Sequence, residues 1–144
     1  MAAADVALLQ SLLGRLTAQG YQAIMPLVHP DFVMETLPGI AAEPQVYRGR
    51  EGMRRWWESF YEVMDRIELR ALEYRDAGPG QVAIEFELAA TGQTSGLGVT
   101  QRAFALTRLR DGMLERFEFF ASMEDALAAA SGTAERRLRP SGAN

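Results

Sequence analysis

Between Gln81 and Leu88, apolar Val82, Ile84, Phe86 and Leu88 alternate with Gln81, Ala83, Glu85 and Glu87. A period of two is that of an extended strand with one dry and one wet face. Such a strand does not stand alone, because neighbours must complete its hydrogen bonds and something apolar must cover its dry side. The flanking sequence predicts those neighbours. Val99 to Leu109 reads as a long strand, Arg110-Asp111-Gly112 as a tight turn of the Asp-Gly type, and Met113 to Phe120 as a further strand. Upstream, Ile67, Leu69 and Ala71 alternate with Arg66, Glu68 and Arg70, and then Leu72 and Tyr74 become the apolar positions, which predicts a bulge or bend near Ala71. Asp76 to Gly80 is a turn. Thr91 to Gly98 is a Gly-rich hairpin loop with no helix after it, and so not a phosphate cradle.

The cover is predicted from the helical periods. From Arg50 to Met64, Met53, Trp56, Trp57, Phe60 and Val63/Met64 fall on one side, with Arg54, Arg55, Glu58 and Glu62 largely on the other. Val6, Leu9, Leu12, Leu13 and Leu16 place an amphipathic helix over Ala4 to Ala18, stopped by Gly20. Tyr21 to Val28 reads as a short helix kinked at Pro26. His29-Pro30-Asp31 breaks the chain, Asp31 to Thr36 forms a strand ending near Pro38-Gly39, and Ile40 to Arg48 is a loop. Glu124 to Ala130 is a terminal helix. Helices followed by a run of antiparallel strands predict an α+β domain with the helices on one face of the sheet. We expect a single domain over residues 1–130 and a flexible C-terminal tail over 131–144.

Composition narrows the function. The net charge of −4 argues against a nucleic-acid partner, and Arg136, Arg137 and Arg139 are the only dense basic run. There is no cysteine, which removes disulfides, thiolate nucleophiles and Cys-ligated zinc. All fifteen basic residues are arginine, so Schiff-base and lysine-base mechanisms are excluded. With one histidine and no clustered carboxylate motif, no metal and no cofactor are expected. The stretch Met1 to Leu13 carries Asp5 and no basic segment, so it reads as a helix and not a signal peptide. No apolar run reaches the roughly 20 residues of a membrane span. A cytoplasmic protein without a membrane partner is expected.

Several short stretches carry a resemblance. They are His29-Pro30-Asp31-Phe32, Tyr47-Arg48-Gly49-Arg50-Glu51-Gly52 ahead of Trp56-Trp57, Ser95-Gly96, Arg110-Asp111-Gly112 and Glu124-Asp125-Ala126-Leu127. In this order and spacing the chain resembles SnoaL-like proteins of the nuclear transport factor 2-like superfamily over about Asp5 to Ala130. The resemblance implies a cone: a strongly bent antiparallel sheet wrapped around the long helix, with N-terminal helices and a C-terminal helix. It further implies an apolar interior for a small hydrophobic, cyclic and oxygenated molecule, and a homodimer paired through the sheet. Relatives include polyketide cyclases, ketosteroid isomerases, scytalone dehydratases and limonene epoxide hydrolases, beside binding domains without catalysis, so cofactor-free acid-base chemistry and simple binding both stay open.

Acid-base relatives use a carboxylate desolvated in the pocket. Here the catalytic candidates are Glu35, beside the corresponding first-strand position at Thr36, and Glu118 with Arg116 on the last strand. Glu35 is either a pocket acid or an exposed strand carboxylate, since Phe32, Met34 and Thr36 share the other face. Arg116 and Glu118 share a face with Leu114 and Phe120, and are either an anion ligand with its partner or an exposed ion pair. The family's tyrosine donor falls near Leu12, and its long-strand acid near Gln101 to Phe104, where no carboxylate stands. The ligand-binding set expected from these positions and the apolar wall is Met34, Thr36, Tyr47, Trp56, Trp57, Phe60, Phe86, Gln101, Phe104 and Phe119. His29 is expected to brace a turn.

Overall fold

The structure, a computed structural model, describes residues 2–36, 46–62, 64–92, 96 and 98–131. It opens with helix α1 (Ala2–Gln19), a 3₁₀ segment (Tyr21–Leu27), strands β1 (Val28–Glu35) and β2 (Val46–Arg48), and helix α2 (Gly49–Tyr61). Strands β3 (Met64–Asp76), β4 (Gln81–Gly92), β5 (Gly98–Arg110) and β6 (Met113–Phe120) follow, then helix α3 (Met123–Ser131). Among the described residues, six strands form one curved open sheet in the order β2-β1-β6-β5-β4-β3.

The alternation of β4 decides what covers what. Its Val82, Ile84, Phe86 and Leu88 are buried together with Ala103 and Ala105 of β5, Phe117 and Phe119 of β6, and Phe32 and Met34 of β1. This concave face is covered by Leu9, Leu12, Leu13 and Leu16 of α1 and by Met53, Trp56 and Trp57 of α2. Three phenylalanines lock its centre, with ring centroids 5.9 Å apart for Phe86–Phe117, 6.0 Å for Phe86–Phe119 and 5.1 Å for Phe117–Phe119.

The structure corrects the sequence expectation in several places. The sheet is not wholly antiparallel, since β1 runs parallel to β6. The helices do not share one face: α3 packs Ala126 and Ala129 against Ala83 and Leu106, on the convex side. Its stripe is alanine, too small to announce a buried face in the sequence. His29-Pro30-Asp31 lies inside β1, where the register to β6 slips between Val28 and Val33 because proline has no N–H to give the ladder. Val46–Arg48, expected as the end of a loop, is an edge strand that puts Tyr47 opposite Met34. Helix α2 ends at Tyr61, and Met64 already belongs to β3. The bulge near Ala71 is found as a register shift between Ala71 and Glu73, which turns Leu72 outward and leaves Ala71 and Tyr74 packed against the core. The turn at Pro38-Gly39, Val63, residues 93–95 and 97 of the Thr91 to Gly98 loop and the tail from 132 onward lie outside the described residues.

Short polar joints set the helices on this sheet. Arg50 Nε donates to the Val28 carbonyl at 2.8 Å, tying the start of α2 to β1. In the first turn of α1, Asp5 accepts the Gly80 N–H at 3.2 Å. Gly52 lies so close to β2 that a Cβ there would stand 2.8 Å from the Tyr47 carbonyl carbon, whereas a Cβ on Gly14 would meet nothing within 4 Å.

Two stability outcomes are expected. Phe86→Ala should cost about 3–5 kcal/mol, read from urea unfolding, because the ring is 1% exposed and held between two others. Substitutions at Gly14 and Gly52 should differ in sign. Ala is better than Gly in a helix by about 1 kcal/mol, so Gly14→Ala should raise the melting temperature. Gly52→Ala should lower it, since the backbone clash at Tyr47 outweighs that gain.

Candidate functional site

Helical and strand spacing converge on one apolar cavity. Leu12, Leu13 and Leu16 of α1, Ile24 of the 3₁₀ segment, and Met53, Trp56 and Trp57 of α2 face Met34, Leu69, Leu114, Phe117 and Phe119 of the sheet around a space of about 20 Å³. That is room for about one water molecule. The two indole N–H groups are the only polar side-chain atoms this lining carries. The tryptophans meet edge to face at 4.8 Å, and Tyr21 stacks on Trp57 at 6.2 Å and 7°. Tyr61, 6.5 Å from Trp57, completes an aromatic rim open to solvent.

Of the expected ligand-binding residues, Met34, Trp56, Trp57 and Phe119 line this cavity. Phe86 and Tyr47 are buried in the same core without lining it, and Arg55 lies over the Tyr47 ring at 5.7 Å. Gln101 pairs with Leu88 and so shares the concave face, with Thr36 just past the end of β1. Phe104 is on the other face, opposite Glu85 and Phe120. The Phe60 side chain lies outside the described residues.

The three expected catalytic residues stand together, but not in the cavity. Arg108 pairs with Arg116 while Leu109 pairs with Leu114, so Glu115 is an extra residue that bulges β6. The bulge breaks the face that Leu114 would have shared with Arg116. Leu114, Phe117 and Phe119 point inward, whereas Arg116, Glu118 and Phe120 point to the convex side. Glu35 stands opposite Glu118 in the parallel ladder, on that same side. Arg116 bonds Glu35 through Nη2 and reaches Glu118 from Nε at 3.4 Å, with the Glu118 side chain 12% exposed. The cluster is a sheet-face ion pair network. A skip in the apolar pattern, Leu114-x-x-Phe117-x-Phe119, was the sequence signal for it.

Two other groupings stand near the cavity and the ion pair network. His29 Nδ1 accepts the Asp31 N–H at 2.9 Å, and Arg110 bridges Asp31 at 3.0 Å and Glu115 at 2.8 Å, so the histidine braces the corner between β1 and the β5–β6 turn. A solvent-open groove of about 430 Å³ runs between α1 and β3, lined by Gln10, Leu13, Gly14, Thr17, Ala18, Glu68, Leu69, Arg70, Ala71 and Tyr74. Thr17 Oγ1 crosses it to donate to the Leu69 carbonyl at 3.2 Å. Burial pushes the Tyr74 phenol up from its ordinary pKa, so it remains a donor at neutral pH. Among the described residues no three His, Cys, Asp or Glu side chains gather as metal ligands, and no helix is long and apolar enough to cross a membrane.

The pattern of the SnoaL-like domain family matches residues 9–117. No curated protein matches the chain. Several solved structures share the fold. A putative polyketide cyclase from Xanthomonas campestris pv. campestris is 14% identical, with a TM-score of 0.68 over 90% of this chain and 98% of its own. TerC, co-crystallised with polyporic acid, is 14% identical, with a TM-score of 0.70 over 86% of this chain and 98% of its own. A Mycobacterium tuberculosis protein in complex with estradiol-17beta-hemisuccinate is 14% identical, with a TM-score of 0.68 over 83% and 95%.

Arg116→Ala should destabilise the protein by about 1–3 kcal/mol in urea unfolding, because it removes the guanidinium that links Glu35 of β1 to the nearly buried Glu118 of β6.

Proposed function

Because the chain belongs to the SnoaL-like domain family, we propose that it is a cytoplasmic pocket protein that binds a small hydrophobic, cyclic, oxygenated molecule against Trp56 and Trp57 without acid-base chemistry in the pocket. The observation that carries this reading is the lining: twelve described residues converge on one space and none of them titrates. A general base must come within hydrogen-bond reach of the proton it takes. Glu35 and Glu118 are across the sheet from that space, engaged with Arg116. The ligands of two structural neighbours, polyporic acid and estradiol-17beta-hemisuccinate, support the choice of an oxygenated molecule with a large apolar part.

The convex face supports a homodimer in the same reading. Arg102 pairs with Glu85 at 3.2 Å, Arg70 pairs with Glu87 at 2.8 Å, and the Glu35–Arg116–Glu118 cluster lies beyond them. Rows of opposite charge on one surface suit a two-fold contact in which each patch meets its own copy.

Borneol, a ring alcohol transparent where tryptophan absorbs, should change the tryptophan fluorescence on titration. Glu35→Gln and Glu118→Gln should leave its affinity within twofold. A response lost in either glutamine variant, with the fold intact, would return the carboxylates to the site. Light scattering at high micromolar concentration should give twice the chain mass, and a monomer mass would remove the dimer.

A further inference from the structure

The cavity and the groove touch. Leu13 and Leu69 line both, so two leucine side chains, 6% and 7% exposed, form the wall between the apolar space under α2 and the open seam between α1 and β3. Size makes the partition significant. Sites for organic ligands run to about 300–1,000 Å³, and the cavity at about 20 Å³ is far below that range while the groove at about 430 Å³ is within it.

Gly14 is the second observation. A glycine inside a helix is the worst choice short of proline, and is kept where the backbone needs a positive φ or where another chain passes close. Neither holds: Gly14 is helical, and a Cβ built on it meets nothing within 4 Å. What its missing side chain leaves is space in the groove, widened by Ala18 and Ala71.

From this seam we infer that cavity and groove are two compartments of one site for a neutral amphipathic molecule, its ring body behind Leu13 and Leu69 and a hydroxylated head in the groove. The inference rests on the pocket reading above and adds the head and its class. The Gln10 amide, the Thr17 hydroxyl and the Tyr74 phenol offer neutral donors and acceptors to such a head. Charge selects against an anion, since Arg70 is paired with Glu87 while the exposed Glu68 carboxylate stands at the groove. Entry requires the two leucines to swing aside and the cavity, which has room for about one water as it stands, to widen between α1 and α2 until it admits the ring.

The test compares borneol with bornyl-β-glucoside by tryptophan fluorescence. Wild-type protein should bind the glucoside at least tenfold more tightly than borneol. Gly14→Leu and Ala18→Leu each fill the groove from a helix position where exposure leaves room, and each should weaken the glucoside at least tenfold while leaving borneol within twofold. Arg15→Leu, exposed on the same helix but outside the groove, should change neither. If one leucine variant does not fold, the other decides. Glucoside binding that survives the fillings, or that is no tighter than borneol in wild type, overturns the groove compartment while borneol binding preserves the pocket reading. A wild-type protein that binds neither compound overturns both.

Discussion

A sheet that is apolar on one side only is unstable until that side is covered, and in this chain the cover is the Met53-Trp56-Trp57 stripe of α2 together with the leucines of α1. Burying large aromatic side chains supplies the biggest single terms in a domain of this size. The geometry follows from them. Two adjacent indoles cannot both lie flat on a sheet, so they meet edge to face, with Trp57 stacked under Tyr21 and Trp56 leaning toward Phe119 at 6.0 Å. The helix axis is brought near β2 until only glycine fits at position 52. Rings of unequal shape do not fill the concave side completely, and the remainder is the cavity.

Much of this was legible locally. The period of two in β4 and the i, i+3, i+4 spacing of α1 and α2 predict which residues face inward, because burial on one face must repeat at the period of the backbone. Even the bulge at Ala71 shows as a phase change. The bulge at Glu115 obeys the same rule, yet Leu114, Arg116, Glu118 and Phe120 also read as an unbroken alternation, and a one-residue slip moves every later side chain to the opposite face. The parallel pairing of β1 with β6 and the seating of α3 were not legible. Pairing between strands some 80 residues apart leaves no local trace, and a buried stripe of alanines resembles an ordinary helix surface.

The short motifs behind the family resemblance acquire physical reasons as joints. In Tyr47 to Gly52, the tyrosine enters the core, Gly49 turns the chain with φ 70°, Arg50 holds the Val28 carbonyl, and Gly52 permits the close approach. His29-Pro30-Asp31 and Arg110-Asp111-Gly112 are two sides of one corner, linked through the Asp31–Arg110 pair. Asp111 and Gly112 both take positive φ, 55° and 74°, as a tight hairpin requires. Each motif positions a sheet or helix end, so together they specify the cone without specifying a reaction.

That division bears on what the fold can do. The convex face holds the buried or half-buried charges, and each carboxylate of the Glu35–Arg116–Glu118 cluster faces a fixed guanidinium, an arrangement suited to holding surfaces and strands together. The concave face holds Trp56, Trp57, Phe86, Phe117 and Phe119 and carries no charge in its cavity lining. A ligand seated wholly on the concave side would therefore lose the hydration of any polar atom it carried and recover little from the protein, a net cost for each unpaired group. Polarity in the ligand is tolerated only where the lining opens to hydroxyl, amide or water. In the described structure polar groups lie across the Leu13–Leu69 wall, along the seam between α1 and β3, where neutral Gln10, Thr17 and Tyr74 stand beside Glu68 and the paired Arg70, so charge is absent from the cavity lining but not from the groove next to it.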